Sequence, residues 1–175
     1  MSDVRPIGVF DSGIGGLTVV KAMRDLLPNE SISYLGDTAR VPYGPKSAET
    51  VQRYAIELAE MLIKQNAKAL VVACNTVSSV ALPALTETFS VPVIGVIDPG
   101  VRAAVRATHN GRVGLIGTEA TVTSGAYERA LHRTGADVRM FQVACPRFVD
   151  YVERGDTTSA ELAPRPDPGG ASVSR

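Results

Sequence analysis

Short apolar runs alternate along this chain with longer stretches in which apolar residues recur every third and fourth position. The first kind of pattern predicts buried strands, and the second predicts helices that pack one face on a sheet. Ile7 to Phe10 is a strand, Asp11 to Gly16 a turn, and Leu17 to Leu27 an amphipathic helix that Pro28-Asn29 breaks. Ser31 to Leu35 makes a second strand, and a loop rich in turn formers runs from Gly36 to Pro45. Ser47 is a helix N-cap, followed by Val51, Tyr54, Ala55, Leu58, Met61 and Leu62 at helical spacing. Leu70 to Ala73 is a third strand, and Val77 to Thr88 a helix that Pro83 interrupts, with Asn75 and Thr76 as capping residues. Val93 to Ile97 is a fourth strand, ended by Asp98-Pro99-Gly100.

The pattern then restarts. A short helix reaches Ala107, Asn110-Gly111 turns, and Val113 to Ile116 is a strand whose loop, Gly117 to Thr121, opens a helix ending near Gly135. A strand at Val138 to Val143 and a helix at Phe148 to Glu153 follow. The expected fold is α/β, with mostly parallel sheets flanked by helices and joined by right-handed crossovers. It is two-lobed: residues 1–98 form a first lobe, 99–163 an incomplete second one, and 164–175 a Pro/Gly-rich tail expected to be disordered.

Composition narrows the partners. Eighteen basic residues balance eighteen acidic ones, and no basic run interleaves with aromatics, so a nucleic-acid footprint is missing. The longest apolar runs are strand length, well short of the ~18 residues a membrane span needs, and no apolar signal segment opens the chain. A soluble cytoplasmic protein acting on a small polar ligand is expected. Two cysteines without a C-x-x-C pattern offer neither a disulfide framework nor a metal site, and His109 and His132 lie in a turn and on a polar helix face.

Three predicted strand ends carry small polar groups: Asp11-Ser12, Cys74-Asn75-Thr76, and Gly117-Thr118 through Thr121. Each leads into a helix, where free backbone N–H groups and the helix dipole favour anions. Cys74, leaving a parallel strand beside a helix N-terminus, stands where open α/β sheets bind ligands and where a thiol becomes reactive. A Val-Val-Ala-Cys run is also an ordinary core strand, so local sequence leaves a reactive thiol and a silent one equally open. The glycine loop lacks the last glycine of the dinucleotide fingerprint, because Thr18 occupies its place, and a tight turn needing positive φ is its simplest account. Thr121 and Thr123 on their own are N-caps before they are ligand contacts.

Taken together, Val9-Phe10-Asp11-Ser12-Gly13-Ile14-Gly15-Gly16-Leu17-Thr18, Gly36-Asp37-Thr38-Ala39-Arg40-Val41-Pro42-Tyr43-Gly44, Ala73-Cys74-Asn75-Thr76, and Gly117-Thr118 with Ala120-Thr121 resemble the ordered motifs of the glutamate racemases. The likeness runs from Ile7 to about Leu162. It implies cofactor-independent interconversion of L- and D-glutamate for bacterial peptidoglycan, with one thiolate removing the Cα proton and a second thiol protonating the opposite face. Carried over residue by residue, it makes Cys74 the first of those thiols and gives Asp11 the task of assisting it. Asp11, Ser12, Pro42, Tyr43, Gly44, Asn75, Thr76, Thr118, Thr121 and Glu153 would meet the amino acid. The resemblance implies no metal, and it leaves a homodimer open.

One departure matters. The family's second cysteine lies in a Cys-Thr-His motif, which this sequence lacks. Cys145, in Ala144-Cys145-Pro146, has no Thr-His after it and is expected to be structural. The chain is therefore expected to be a truncated or frame-shifted racemase with impaired turnover. Two rivals stand beside that expectation: a non-catalytic glutamate-binding remnant whose uncovered sheet surface needs a partner, and a related racemase of another small amino acid.

Overall fold

The computed structural model describes residues 3–153, 155 and 172–173. Its first sheet is built from β1 (Ile7–Asp11), β2 (Ile32–Gly36), β3 (Ala69–Val72) and β4 (Val93–Gly95), all parallel, in the order β2-β1-β3-β4. Helices cover both faces, which is why β1 and β3 are apolar on successive residues rather than alternately. Phe10, Leu70 and Val72 pack under α2 (Ala48–Lys64), whose Val51, Ala55, Leu58, Ala59 and Leu62 are buried. Removing Val51, Leu58 and Leu62 from water contributes about 1.5–3 kcal/mol each. Val9, Val71 and Ala73 face the other way, onto Val19, Val20 and Met23 of α1 (Leu17–Leu26). The chain leaves β1 toward β2 on one side and reaches β3 on the other, so the gap between the carboxyl ends of β1 and β3 is a topological switch point.

Beyond β3 come α3 (Asn75–Val80) and α4 (Leu82–Thr88), with Pro83 in the first turn of α4. Proline there costs no hydrogen bond, because a first-turn N–H has no intrahelical partner, and the break falls at Ala81 just before it. The same rule corrects the expected end of the fourth strand. Ile97 is not the last residue of a strand, and Asp98-Pro99-Gly100 is not a turn: all four open α5 (Ile97–Ala107), with Pro99 in its first turn.

The second sheet pairs β5 (Arg112–Gly117) with β6 (Arg139–Ala144) in parallel, and β7 (Ser172–Val173) lies antiparallel to β6. These two residues are the described part of the tail; the rest of the stretch expected to be disordered lies outside the described residues. Between β5 and β6 the single expected helix is two, α6 (Glu119–Thr123) and α7 (Ala126–Thr134), separated where Gly125 takes φ 64°. That left-handed conformation is natural only for glycine-like residues. Ile97 and Val101 of α5, Ala130 and Leu131 of α7, and Met140 of β6 make the second core. The opposite face of this sheet carries Ile116 and Val143, paired across β5 and β6 and 61% and 47% exposed. Among the described residues nothing covers them. The last helix, α8, is Phe148–Glu153. Among the described residues no helix is long and apolar enough to cross a membrane.

Candidate active site

A cavity of about 450 Å³ opens at the switch point, between the two sheets. Asp11 and Ser12 reach it from the end of β1, Cys74, Asn75 and Thr76 from the end of β3, and Thr118 and Thr121 from the end of β5. Tyr43 and Gly44 of the β2–α2 loop line it as well. Eight of the ten residues expected to meet a ligand, together with Cys74, thus line one cavity, although they come from four separate stretches. Pro42, preceded by a cis Val41–Pro42 peptide, is not on that wall, and the side chain of Glu153 lies outside the described residues.

The backbone around Asp11 corrects the expectation for the glycine loop. None of Gly13, Gly15 and Gly16 has positive φ; Gly16 sits at φ −62° as the residue capping α1. Its requirement is space. A Cβ on Gly16 would stand 2.8 Å from the Asp11 Cβ and 2.9 Å from the Ala73 Cβ, so glycine lets the helix start approach both strand ends. Its N–H then donates to the Asp11 carboxylate at 2.8 Å, which holds that carboxylate at the cavity.

Cys74 is itself the N-cap of α3, in place of Asn75 or Thr76, which are the first two helical residues. It is 6% exposed and packed into the main core, and it also lines the cavity. Its Sγ lies 3.3 Å from Ser12 Oγ. Burial is the main influence on its acidity and pushes the thiol up from its ordinary value, and the Asp11 carboxylate pushes in the same direction. The Ser12 hydroxyl and the N–H groups of Val77 and Ser12 pull the other way without winning. Cys74 is therefore a neutral thiol at pH 7, with a carboxylate at hand.

Three hydroxyls of the lining form a ladder. Thr76 Oγ1 is 3.0 Å from Thr118 Oγ1, which is 2.9 Å from Thr121 Oγ1 and accepts the Thr121 N–H at 3.2 Å as the N-cap of α6. The ladder joins the two lobes. Three hydroxyl protons serve two hydroxyl–hydroxyl contacts, so one proton is left over for a ligand oxygen, and all three threonines are buried. Tyr43, 1% exposed, donates its hydroxyl to Asp37, and Asp37 also accepts from Arg40 Nε at 2.5 Å. Burial, and then this bond, raise the Tyr43 phenol far above its ordinary range, so it stays protonated.

Other residues line the wall, of which Tyr127 carried no local sign in the sequence. Tyr127 of α7 donates to Asn75 Oδ1 at 2.5 Å. Cys145, which was expected to be structural, follows β6 and lines the same cavity as Cys74, and its N–H donates to the Gly117 carbonyl at 2.7 Å. Phe148, Val149 and Val152 of α8 close the apolar side. Their spacing along one helix face was the available signal. Among the described residues no group of three His, Cys, Asp or Glu side chains could hold a metal ion.

A family model described as Asp/Glu/Hydantoin racemase matches residues 7–163. The chain belongs to this racemase family. It is similar to glutamate racemase of Corynebacterium kroppenstedtii, with 52% identity over 157 residues that make up 90% of this chain and 54% of that protein. Among solved structures, a glutamate racemase isoform of Bacillus anthracis shares 50% identity at a TM-score of 0.81, over 84% of this chain and 55% of its own. The Francisella tularensis glutamate racemase, solved in complex with D-glutamate, gives 43% identity and a TM-score of 0.83 over 92% and 60%. The racemase-family chain thus spans little more than half the length of the relatives it matches.

Proposed function

We propose that the cavity binds glutamate and that Cys74 exchanges its Cα proton, which is the chemistry of glutamate racemases. The observation that supports this best is the Cys74 thiol and the Asp11 carboxylate sharing one cavity with a hydroxyl ladder that has a proton to donate. The ladder and Ser12 suit the ligand's carboxylates, and Asp11 suits its ammonium. Cys74, once its thiol proton has been given up to solvent water, takes the Cα proton as thiolate, leaving the electron pair delocalised into the neighbouring carboxylate. Returning a proton from the same sulfur regenerates the starting hand, with no cofactor and no net redox change. Racemisation further needs an acid on the other face. This sequence has no Cys-Thr-His motif to match the family's, so exchange at one face is the activity proposed for these 175 residues. A cytoplasmic location and a homodimer belong to the same proposal, supported by two free thiols and an uncovered apolar sheet face.

The test is incubation of L- and D-glutamate with the purified chain in deuterated water, followed by proton NMR at Cα. Deuterium entering one enantiomer, abolished by Cys74→Ala, is expected. Rapid conversion between enantiomers would overturn the one-face account, and no exchange with either would overturn the catalytic one. A second account, glutamate binding without turnover, is favoured by the neutrality of the buried Cys74. It predicts a melting transition that glutamate raises while no deuterium is incorporated. Sulfur-to-carbon proton transfer with aspartate in place of glutamate would instead point to a relative with another substrate.

A further inference from the structure

We propose that Tyr127 is a positioning residue that fixes the Asn75 side-chain amide with its NH2 group turned to the ligand, making it a reader of carboxylate. The inference rests on the glutamate-binding account above. An asparagine amide has an accepting end and a donating end, and a half-turn about its last bond exchanges them. An unanchored asparagine on a cavity wall would offer either end, to a carboxylate or to an ammonium alike. Here one end is taken. The Tyr127 hydroxyl has a single proton, and it donates that proton to Asn75 Oδ1 at 2.5 Å. Nδ2 donates to none of the described residues, and both Asn75 and Tyr127 line the cavity.

The two residues stand on different lobes, Asn75 at the start of α3 and Tyr127 in the first turn of α7. The contact therefore exists only when the second lobe is docked, beside the hydroxyl ladder that joins Thr76 to Thr118. Burial raises the Tyr127 phenol above its ordinary value, so the donating proton is retained across the neutral range.

The experiment titrates wild type, Tyr127→Phe, Asn75→Ala and the double variant with glutamate and with its two monoamides, glutamine and isoglutamine. Alongside it, the Asn75 side-chain amide is followed by nitrogen-15 NMR in the unliganded protein. Tyr127→Phe should weaken glutamate by about tenfold, the low end for one charge-assisted hydrogen bond, and should narrow the preference for glutamate over one of the amides. The double variant should bind no worse than Asn75→Ala, because Tyr127 acts through Asn75. Loss of the separate Asn75 amide signals in Tyr127→Phe, at unchanged melting temperature, is the companion result. Unchanged glutamate affinity and amide signals in Tyr127→Phe, or additive losses in the double variant, would overturn the proposal. If wild type binds no glutamate while the amide signals still respond to Tyr127→Phe, the positioning stands and the choice of glutamate falls.

Discussion

Replacing Gly16 by alanine should be among the costliest single-methyl changes in the molecule. The added Cβ meets the Asp11 Cβ at 2.8 Å and the Ala73 Cβ at 2.9 Å, both fixed to strand backbone and neither able to rotate away. Relief requires α1 to lift off the sheet. Overpacking of this kind costs about 1–3 kcal/mol. A lifted helix also weakens the 2.8 Å bond from the Gly16 N–H to the buried Asp11 carboxylate, and hydrogen bonds to charged groups contribute about 1.5–3 kcal/mol. Because one displacement causes both losses they do not add fully, and about 2–4 kcal/mol is expected in total. Against a domain stability of ~5–15 kcal/mol this is a large fraction. Gly15 is the internal control: its Cβ would meet only the Asp11 Oδ2, at 3.8 Å, so Gly15→Ala should stay within about 0.5 kcal/mol of wild type. Urea unfolding of the three proteins, compared at equal m-values, measures this. Equal stabilities for Gly16→Ala and Gly15→Ala would refute the close-approach argument.

Asp37→Asn removes the charge that accepts from both Tyr43 and Arg40 and should lower stability by about 1.5–3 kcal/mol in urea unfolding, whereas Glu57→Gln, at the 43%-exposed end of the Arg40 pair, should cost less than ~1 kcal/mol. Gly100→Ala, inside α5 with nothing within 4 Å of the new methyl, should raise stability by about 0.5–1 kcal/mol by calorimetry. Stability should also fall in alkali through Cys74. Its folded value lies above the ordinary 9.0, so its contribution is complete below that pH and is lost as pH rises through the folded value; Cys74→Ser should flatten that part of a melting-temperature profile.

The first lobe was legible because its central strands β1 and β3 are buried on both faces and α2 shows its packed stripe. Phe10, Leu70 and Val72, and the Val51-Ala55-Leu58-Leu62 series, carry that pattern in the sequence itself. What misled was punctuation. Pro99 and Gly100 look like a turn, yet proline is harmless in a first helical turn and glycine tolerable just after it, so the chain runs on as helix. Gly125 did the reverse, ending α6 where apolar spacing alone continued. Gly16 was noticed, but for conformational freedom rather than for the missing methyl that it needs. Strand-end residues such as Asp11, Cys74 and Thr118 could be found because a parallel sheet delivers its carboxyl ends to one edge. Tyr127 could not, since its bond to Asn75 joins residues 52 positions apart on different lobes.

The burial of Cys74 bears directly on the base role proposed for it. Burial that makes the residue look like core also raises its proton affinity, and a thiolate of high proton affinity is the stronger base toward a weakly acidic Cα–H. The same burial leaves little thiolate at neutral pH, so the free protein is poorly armed. Asp11 deepens that shortage by repelling the anion. A glutamate ammonium arriving beside Asp11 would cancel that repulsion, leaving the Ser12 hydroxyl and the Ser12 and Val77 N–H groups to favour thiolate against burial alone. Ligand entry should therefore lower the value at which Cys74 titrates. In the deuterium-exchange assay, kcat/KM reports the free protein and kcat the complex. Both should rise with pH, and the rise in kcat should come at lower pH than the rise in kcat/KM. In Asp11→Asn, which removes the repulsion from the start, the two profiles should draw together. Profiles that coincide in the parent protein would mean that the ligand's ammonium does not sit where Cys74 can feel it.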